Sequence, residues 1–233
     1  MPNLSYKTAL IVGAGSGLSA SLARLFSREG LRVALAARNT EKLGALCGET
    51  GAQAFACETT NPGQVVQMFA AVEAATGAPD VVVYNASARA RGPVAELVPA
   101  EVERAIMVSA YGGFLVAREA AARMLPKRHG AILFTGASAS VKGYPLSAPF
   151  AMGKFALRGL AQSITRELAP QGIHIGHFVI DGAIRNPGRT EPPDRPDSML
   201  DPDAIAASYL HLLQQPRSAW AWEIELRPWV ERF

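Results

Sequence analysis

The stretch "TALIVGAGSGLSASLARLFSREG", residues 8–30, decides the fold. Its first five residues form a continuous apolar or β-branched run, the pattern of a strand buried on both faces. Residues 18–30 then place apolar side chains at helical spacing and stop at Gly30. Between strand and helix lies the glycine turn "VGAGSG". Gly13 and Gly17 let the backbone turn tightly and approach a ligand closely. The helix that opens near Ser16, Gly17 and Leu18 aims free N–H groups and the positive end of its dipole at an anion. A strand, a glycine turn and a helix in this order form the place where an α/β protein holds a dinucleotide pyrophosphate. Read alone, the turn is only a tight connection, so the rest of the chain has to supply the context.

That context is an alternation of short strands and longer helices. Strands are expected at residues 8–12, 32–36, 52–57, 80–84, 131–135 and 173–180. Helices are expected from residue 18 to 30, through "EKLGALCGET", and from Pro62 through "PGQVVQMFAAVEAAT", with proline at the first helical position. Two longer ones follow, at 99–125 and 149–168. Apolar strands alternating with helices imply a doubly wound parallel sheet, a Rossmann fold of three α/β/α layers, in a single domain covering residues 1–233. No internal repeat and no low-complexity tract interrupts it.

Composition excludes several classes. The 233 residues are 49% hydrophobic and 18% charged, a globular balance. The formal charge is +3, but the basic residues are scattered, so no nucleic-acid surface is expected. The bias would suit an anionic cofactor. Two cysteines, Cys47 and Cys57, fit a reducing cytoplasm better than a disulfide framework. No apolar run approaches the roughly 18 residues of a membrane span, and the N-terminal apolar run is too short for a signal peptide. The expectation is a cytoplasmic protein with no membrane and no nucleic-acid partner. No Cys/His spacing indicates a metal, and His174 and His177, an odd number apart on one strand, face opposite sides.

One segment breaks the rhythm. Residues 181–203, "DGAIRNPGRTEPPDRPDSMLDPD", are rich in Pro, Asp and Arg without periodicity. A long irregular segment after the last long strand of such a sheet lies where ligands bind, so residues 183–203 are expected to form a substrate lid.

Further motifs fall into register with the glycine turn. "ACETT" ends the third strand, "VYNAS" the fourth, "VSAYGGF" lies on the long helix, and "DGAI" follows the strand at 173–180. Together with G-x-x-x-G at Gly13 and Gly17, they resemble the short-chain dehydrogenase/reductase family from about residue 7 to 185. Ser19 stands at that family's third glycine. Glu58 and Thr59 replace its Asp-Val, Tyr84 replaces the first Asn of N-N-A-G, and Ser87 replaces the Gly. Asn85 and Ala86 are kept. The resemblance implies that Gly13, Ser16, Gly17, Leu18, Glu58, Thr59, Asn85, Ala86, Ser87, Gly182 and Ile184 contact a nicotinamide cofactor. The ending "WEIELRPWVERF" is unlike the family's glycine-rich one.

The second strand ends "ALAARN", with Ala37 where a carboxylate would hold the ribose 2′-hydroxyl of NAD. Arg38 follows, and a guanidinium pairs with a 2′-phosphate. NADP(H) is therefore favoured, with NAD(H) as the second choice.

The family resemblance also implies a Ser-Tyr-Lys-Asn active site. Carried over, the lysine is Lys154, which binds the nicotinamide ribose. The tyrosine position holds Phe150, the asparagine position Ser109, and the serine position Ala137, with Ser138 next to it. Three of the four members are replaced. Tyr144, in the loop before the helix, is a candidate substitute acid, as in relatives that reduce conjugated C=C bonds. The leading expectation is an NADP(H)-dependent oxidoreductase acting on a small molecule, a homodimer or homotetramer packed through helices 99–125 and 149–168. The rivals are a cofactor-binding protein without turnover, acting as sensor or assembly partner, and a lyase or isomerase on the same scaffold.

Overall fold

A computed structural model describes residues 4–231; Met1–Asn3 at the start, and Arg232 and Phe233 of the C-terminal stretch, lie outside the described residues. In chain order the first half contains β1 (Thr8–Val12), α1 (Leu18–Arg28), β2 (Arg32–Ala37), α2 (Gly44–Thr50), β3 (Gln53–Ala56), α3 (Pro62–Thr76) and β4 (Val81–Tyr84). Then come α4 (Pro99–Ile106), α5 (Gly112–Met124), β5 (Gly130–Thr135), α6 (Ala148–Leu168) and β6 (Ile173–Ile180). Two short strands, β7 (Ala183–Ile184) and β8 (Met199–Leu200), precede α7 (Pro202–Leu213) and β9 (Glu223–Leu226). The central sheet is seven-stranded and parallel, in the order β3-β2-β1-β4-β5-β6-β9. It is the doubly wound Rossmann arrangement expected from the sequence.

Period-two alternation divides each central strand between two cores. Ala9, Ile11, Val81, Val83, Ala131 and Leu133 enter the core that includes α1 and α7. Leu10, Val12, Val82, Tyr84, Ile132 and Phe134 enter the one that includes α3, α5 and α6. Burying each such Leu, Ile or Val fully contributes roughly 1.5–3 kcal/mol, so both faces of the sheet are held by the hydrophobic effect. The chain winds outward from β1 to β3, then crosses back to β4. The reversal opens a crevice at the carboxyl ends of β1 and β4, where this architecture binds ligands.

The helix expected at 99–125 is interrupted. Met107–Tyr111 is π-helical, between α4 and α5. The residues that follow it are crowded by β4 on one side and α6 on the other. A Cβ on Gly112 would lie 2.5 Å from the Tyr84 hydroxyl, and one on Gly113 2.7 Å from Leu157 Cδ1. The Tyr84 hydroxyl donates to the Val108 carbonyl inside the widened turn, a side-chain insertion of the kind that distorts a helix ladder.

Residues 181–203 are less irregular than expected. β7 and β8 pair in parallel, Asn186 and Arg189 form a bridge, and Met199 N–H donates to Glu191 Oε1 at 3.1 Å. The stretch "EIEL", given no strand in the sequence reading, is β9. It alternates polar with apolar residues, as an edge strand does, and pairs with β6 from His177–Glu223 to Ile180–Leu226.

A polar network locks this edge. His177 Nδ1–H donates to Glu223 Oε2 at 2.9 Å, and Arg158 of α6 grips both carboxylate oxygens at 2.7 and 2.8 Å. Burial pushes Glu223 upward, but the Arg158 hydrogen bonds and charge, with His177, hold it below the usual carboxylate range. His177 is fully buried, and that burial outweighs the attraction of Glu223, so its pKa falls to about 4. Between pH 6.5 and 4 the unfolded chain therefore binds a proton here that the folded chain refuses. We predict that acidification through this window lowers the unfolding free energy by on the order of 3 kcal/mol from this one side chain. Urea titrations from pH 7 to 4 measure it, and His177→Gln should flatten that part of the profile.

Candidate functional site

The glycine turn is built around contact between two strand ends. Gly13 has φ +86°, and a Cβ there would sit 2.4 Å from Ala86 N. Only glycine combines that conformation with that approach. The N–H groups of Gly13 and Ala14 both donate to Ala36 O at 2.9 Å, and Asn85 N–H donates to Val12 O at 2.8 Å. Ser19, where the resembled family has glycine, is buried. Its hydroxyl donates to Gly13 O at 3.3 Å and accepts from Asn85 Nδ2 at 2.7 Å. It therefore fastens the turn to the end of β4, a task that sequence reading did not assign to it.

Two cavities meet at Asn85 and Ser87. One, of about 230 Å³, is bordered by Gly13, Ala37, Arg38, Glu58, Thr59 and Ala86. Arg38 Nη1 stands 4.0 Å from Glu58 Oε2 at its mouth. The other, of about 270 Å³, is bordered by Gly17, Leu18, Phe150, Lys154, Gly182 and Ile184, with Ala137 and Arg89. A Cβ on Gly17 would meet nothing nearer than Asn186 Cβ at 3.6 Å, so a side chain there has room to grow into this cleft. Ser16 lies on the border of a different hollow of about 620 Å³, between α1, α2 and residues 185–191.

The expected catalytic residues are only partly brought together. Phe150 and Lys154, one turn apart on α6, both line the 270 Å³ cleft. Ser109, on the π-helical turn, is fully buried, beneath Gly153, where a Cβ would be 2.7 Å from Ser109 Cβ. Its hydroxyl accepts from Ala88 N–H at 3.4 Å. Ala137 lines the cleft, whereas Ser138 does not border it. Ser140, fully buried, accepts from Ala137 N–H at 3.2 Å. Tyr144 is exposed, outside the cleft's lining, with the Lys142 ammonium 5.7 Å from its ring. His174 stacks on Trp220, and no group of three metal-ligating side chains exists among the described residues.

Lys154 carries the electrostatic tension of the site. It is 3% exposed, and Nζ donates to Thr135 O at 2.6 Å. Burial, then the nearby positive charge of Arg89, brings its pKa down to about 7. Arg89 was not anticipated. Its guanidinium carbon lies 4.0 Å from the centroid of the Phe150 ring, and Lys154 Nζ lies 5.7 Å from the same centroid. Burial, then the charges of Arg189 and Arg91, hold Arg89 below the usual arginine value. The one signal in the sequence was its place two residues beyond "YNAS".

Comparison with known proteins agrees with this geometry. The family model for short chain dehydrogenase matches residues 7–189. The chain is 28% identical, over 237 residues, to an uncharacterized oxidoreductase of Staphylococcus aureus (strain USA300), covering 98% of this chain and 100% of that one. It superposes on a short-chain dehydrogenase from Rhodopseudomonas palustris with TM-score 0.82 and 34% identity, over 96% and 99% of the two chains. A metagenomic short-chain oxidoreductase in complex with NADP gives TM-score 0.84 and 28% identity, over 97% and 99%. The protein is thus an α/β chain with a crevice at its topological switch point. It belongs to the short-chain dehydrogenase family.

Ser19 supplies a direct check on the turn. Ser19→Ala removes both hydrogen bonds and leaves the Asn85 amide without its acceptor. We predict a loss of about 1–3 kcal/mol in unfolding free energy, read from chemical denaturation.

Proposed function

We propose that the chain is an NADP(H)-dependent oxidoreductase acting on a small molecule, with its cofactor spanning the two cavities. The observation that carries this reading is Lys154, a buried ammonium facing a cleft that the glycine turn also borders. The residues fit the group. Gly13 and Gly17 leave the space, and the start of α1 offers N–H groups to a pyrophosphate. Glu58 and Thr59 border the adenine end, and Arg38 offers a guanidinium to a 2′-phosphate where Ala37 offers no carboxylate. Lys154 keeps two N–H donors for the ribose diol after bonding Thr135 O. The NADP carried by the metagenomic relative supports the choice of cofactor. When bound, the nicotinamide would supply hydride chemistry beside Phe150.

What this chain lacks is the ordinary proton donor. Phe150 has no proton to give, and Ser109 is buried under Gly153. Lys154, near-neutral in pKa, holds at Nζ a proton that passes readily to a developing oxyanion. Arg89, Phe150 and Thr135 face it directly, and the neutral His177 lies within reach of its charge. A second reading keeps Tyr144 as the acid, with residues 183–203 folding over the substrate as a lid. The exposed Tyr111, Phe114, Met152 and Phe155 on the central helices support a homodimer or homotetramer. The two free cysteines support a cytoplasmic setting.

Two sets of measurements test the proposal. Gly17→Val should abolish NADPH binding, followed by fluorescence titration, while leaving the circular dichroism spectrum intact. Arg38→Ala should narrow the preference for NADPH over NADH by roughly tenfold, the worth of one charge-assisted contact.

The second set follows NADPH oxidation over a carbonyl and enone panel. Ketone reduction should be slower than with a tyrosine acid by roughly 10² to 10⁴. It should fall as pH rises through about 7, because Lys154 loses its proton there. Phe150→Tyr should raise the rate. Loss of activity in Tyr144→Phe would move the acid to Tyr144. Tight NADPH binding with no oxidation of any kind would replace the enzyme with a sensor.

A further inference from the structure

The 270 Å³ cleft is short of negative charge. Arg89, Lys154 and Arg189 border it, and no carboxylate does. Asp181, which follows β6, is already engaged by Lys142 at 3.2 Å and Arg227 at 3.7 Å. Arg89 forms no hydrogen bond or ion pair with another residue among those described. Arg89 is exposed, and the contact that places it is with Phe150, whose ring centroid lies 4.0 Å from the guanidinium carbon. A guanidinium held on an aromatic face keeps its N–H edge free to donate in the ring plane direction. Phe150 lies one helical turn before Lys154, and both line the cleft.

We propose that Phe150 is a platform for Arg89, and that Arg89 anchors a small carboxylate-bearing substrate in this cleft beside Lys154. Calling the anion a substrate rests on the oxidoreductase reading; the anion site itself does not. A carboxylate is planar and takes two parallel N–H donors from one guanidinium. It would supply the negative charge that the cleft's lining, with Arg89, Lys154 and Arg189, lacks. A cleft of 270 Å³ that also admits a nicotinamide leaves room for only a few heavy atoms. The pyrophosphate has its own donors at the start of α1, so Arg89 is left for the second ligand. The replacement of tyrosine then has a positive content. The ring is retained because its face holds the arginine, and the substrate meets the Arg89 N–H edge where it would otherwise meet a phenol.

Calorimetric titration with oxamate tests this, using the full chain with and without saturating NADPH. Oxamide serves as the neutral control and inorganic phosphate as the competing anion. Saturable oxamate binding is expected, with oxamide at least tenfold weaker. Arg89→Met should weaken oxamate by roughly ten- to a hundredfold while leaving NADPH affinity within about twofold. Phe150→Leu, which removes the aromatic face, should cost oxamate a few-fold, in line with an exposed cation–π contact, whereas Phe150→Tyr should preserve it. Arg89→Lys, which keeps the charge but not the fork, should fall between the unmodified chain and Arg89→Met.

Absence of oxamate binding in both states overturns the proposal. So does phosphate binding more tightly than oxamate, or Arg89→Met weakening NADPH as much as oxamate, which would assign Arg89 to the cofactor. Failure of NADPH to bind the unmodified chain, with oxamate still bound through Arg89, would sink the cofactor reading and leave the anion site standing.

Discussion

The constraint on which the crevice depends is backbone against backbone, Gly13 over Ala86. The ends of β1 and β4 are neighbours in the sheet, but the helices that follow them cover opposite faces. The chain must turn away from the same point in two directions, and it does so without room for a Cβ. Everything at the carboxyl edge inherits its position from that contact. The glycine turn sets where α1 begins. Asn85, held by Val12 O on one side and Ser19 on the other, sets where the loop carrying Ser87 and Arg89 departs. Both cavities have Asn85 and Ser87 as their common wall, so the same few ångströms of packing decide the geometry of each.

A second constraint is the burial of a lysine. An ammonium removed from water loses several kcal/mol of solvation unless something compensates. Here a single backbone carbonyl, Thr135 O, compensates, and a guanidinium nearby makes matters worse. A site that served only stability would not place these two cations together. Such an arrangement persists when a ligand completes it, and perturbed groups in clefts mark function for that reason. By contrast, in the partly buried cluster of Arg158, Glu223 and His177, the carboxylate of Glu223 is matched by hydrogen bonds from both neighbours. It joins α6 to β9 and so steadies the helix that carries Phe150 and Lys154.

Much of the fold was legible in the sequence because parallel strands announce themselves. "TALIV", "VVVY" and "AILF" are buried on both faces and stay apolar throughout. The glycine turn and "YNAS" pointed to the crevice at the ends of β1 and β4 for the same local reason, since each is a short motif whose residues act where they stand. Elements shaped by partners were harder to see. "EIEL" carries two glutamates, and only the fold shows that His177 and Arg158 take one of them. The π-helical turn at Met107–Tyr111 depends on a tyrosine hydroxyl from another strand. Ser19 reads as a lost glycine until Asn85 appears beside it. Arg89 was marked only by its nearness to "YNAS", because its meaning lies in contact with Phe150, sixty-one residues away in the chain.

That contact changes what the substitution at 150 signifies. Read along the sequence, by resemblance to the family, Phe150 is a deletion: a phenol without its oxygen, at a position where the resemblance expects tyrosine. Read in space, the ring has a neighbour, and the neighbour brings N–H donors to the same cleft. A tyrosine acid and an arginine anchor solve different problems. The first delivers a proton to an oxygen that acquires charge as hydride arrives, whereas the second holds a charge already present and cannot release its own proton. A cleft furnished with the second and not the first is suited to a ligand that arrives as an anion. Under the proposed reading, any proton it needs comes from Lys154, whose pKa burial and Arg89 bring down to about 7. The lysine would thus retain its place on the helix while its work shifts from tuning a neighbouring phenol to holding the proton itself.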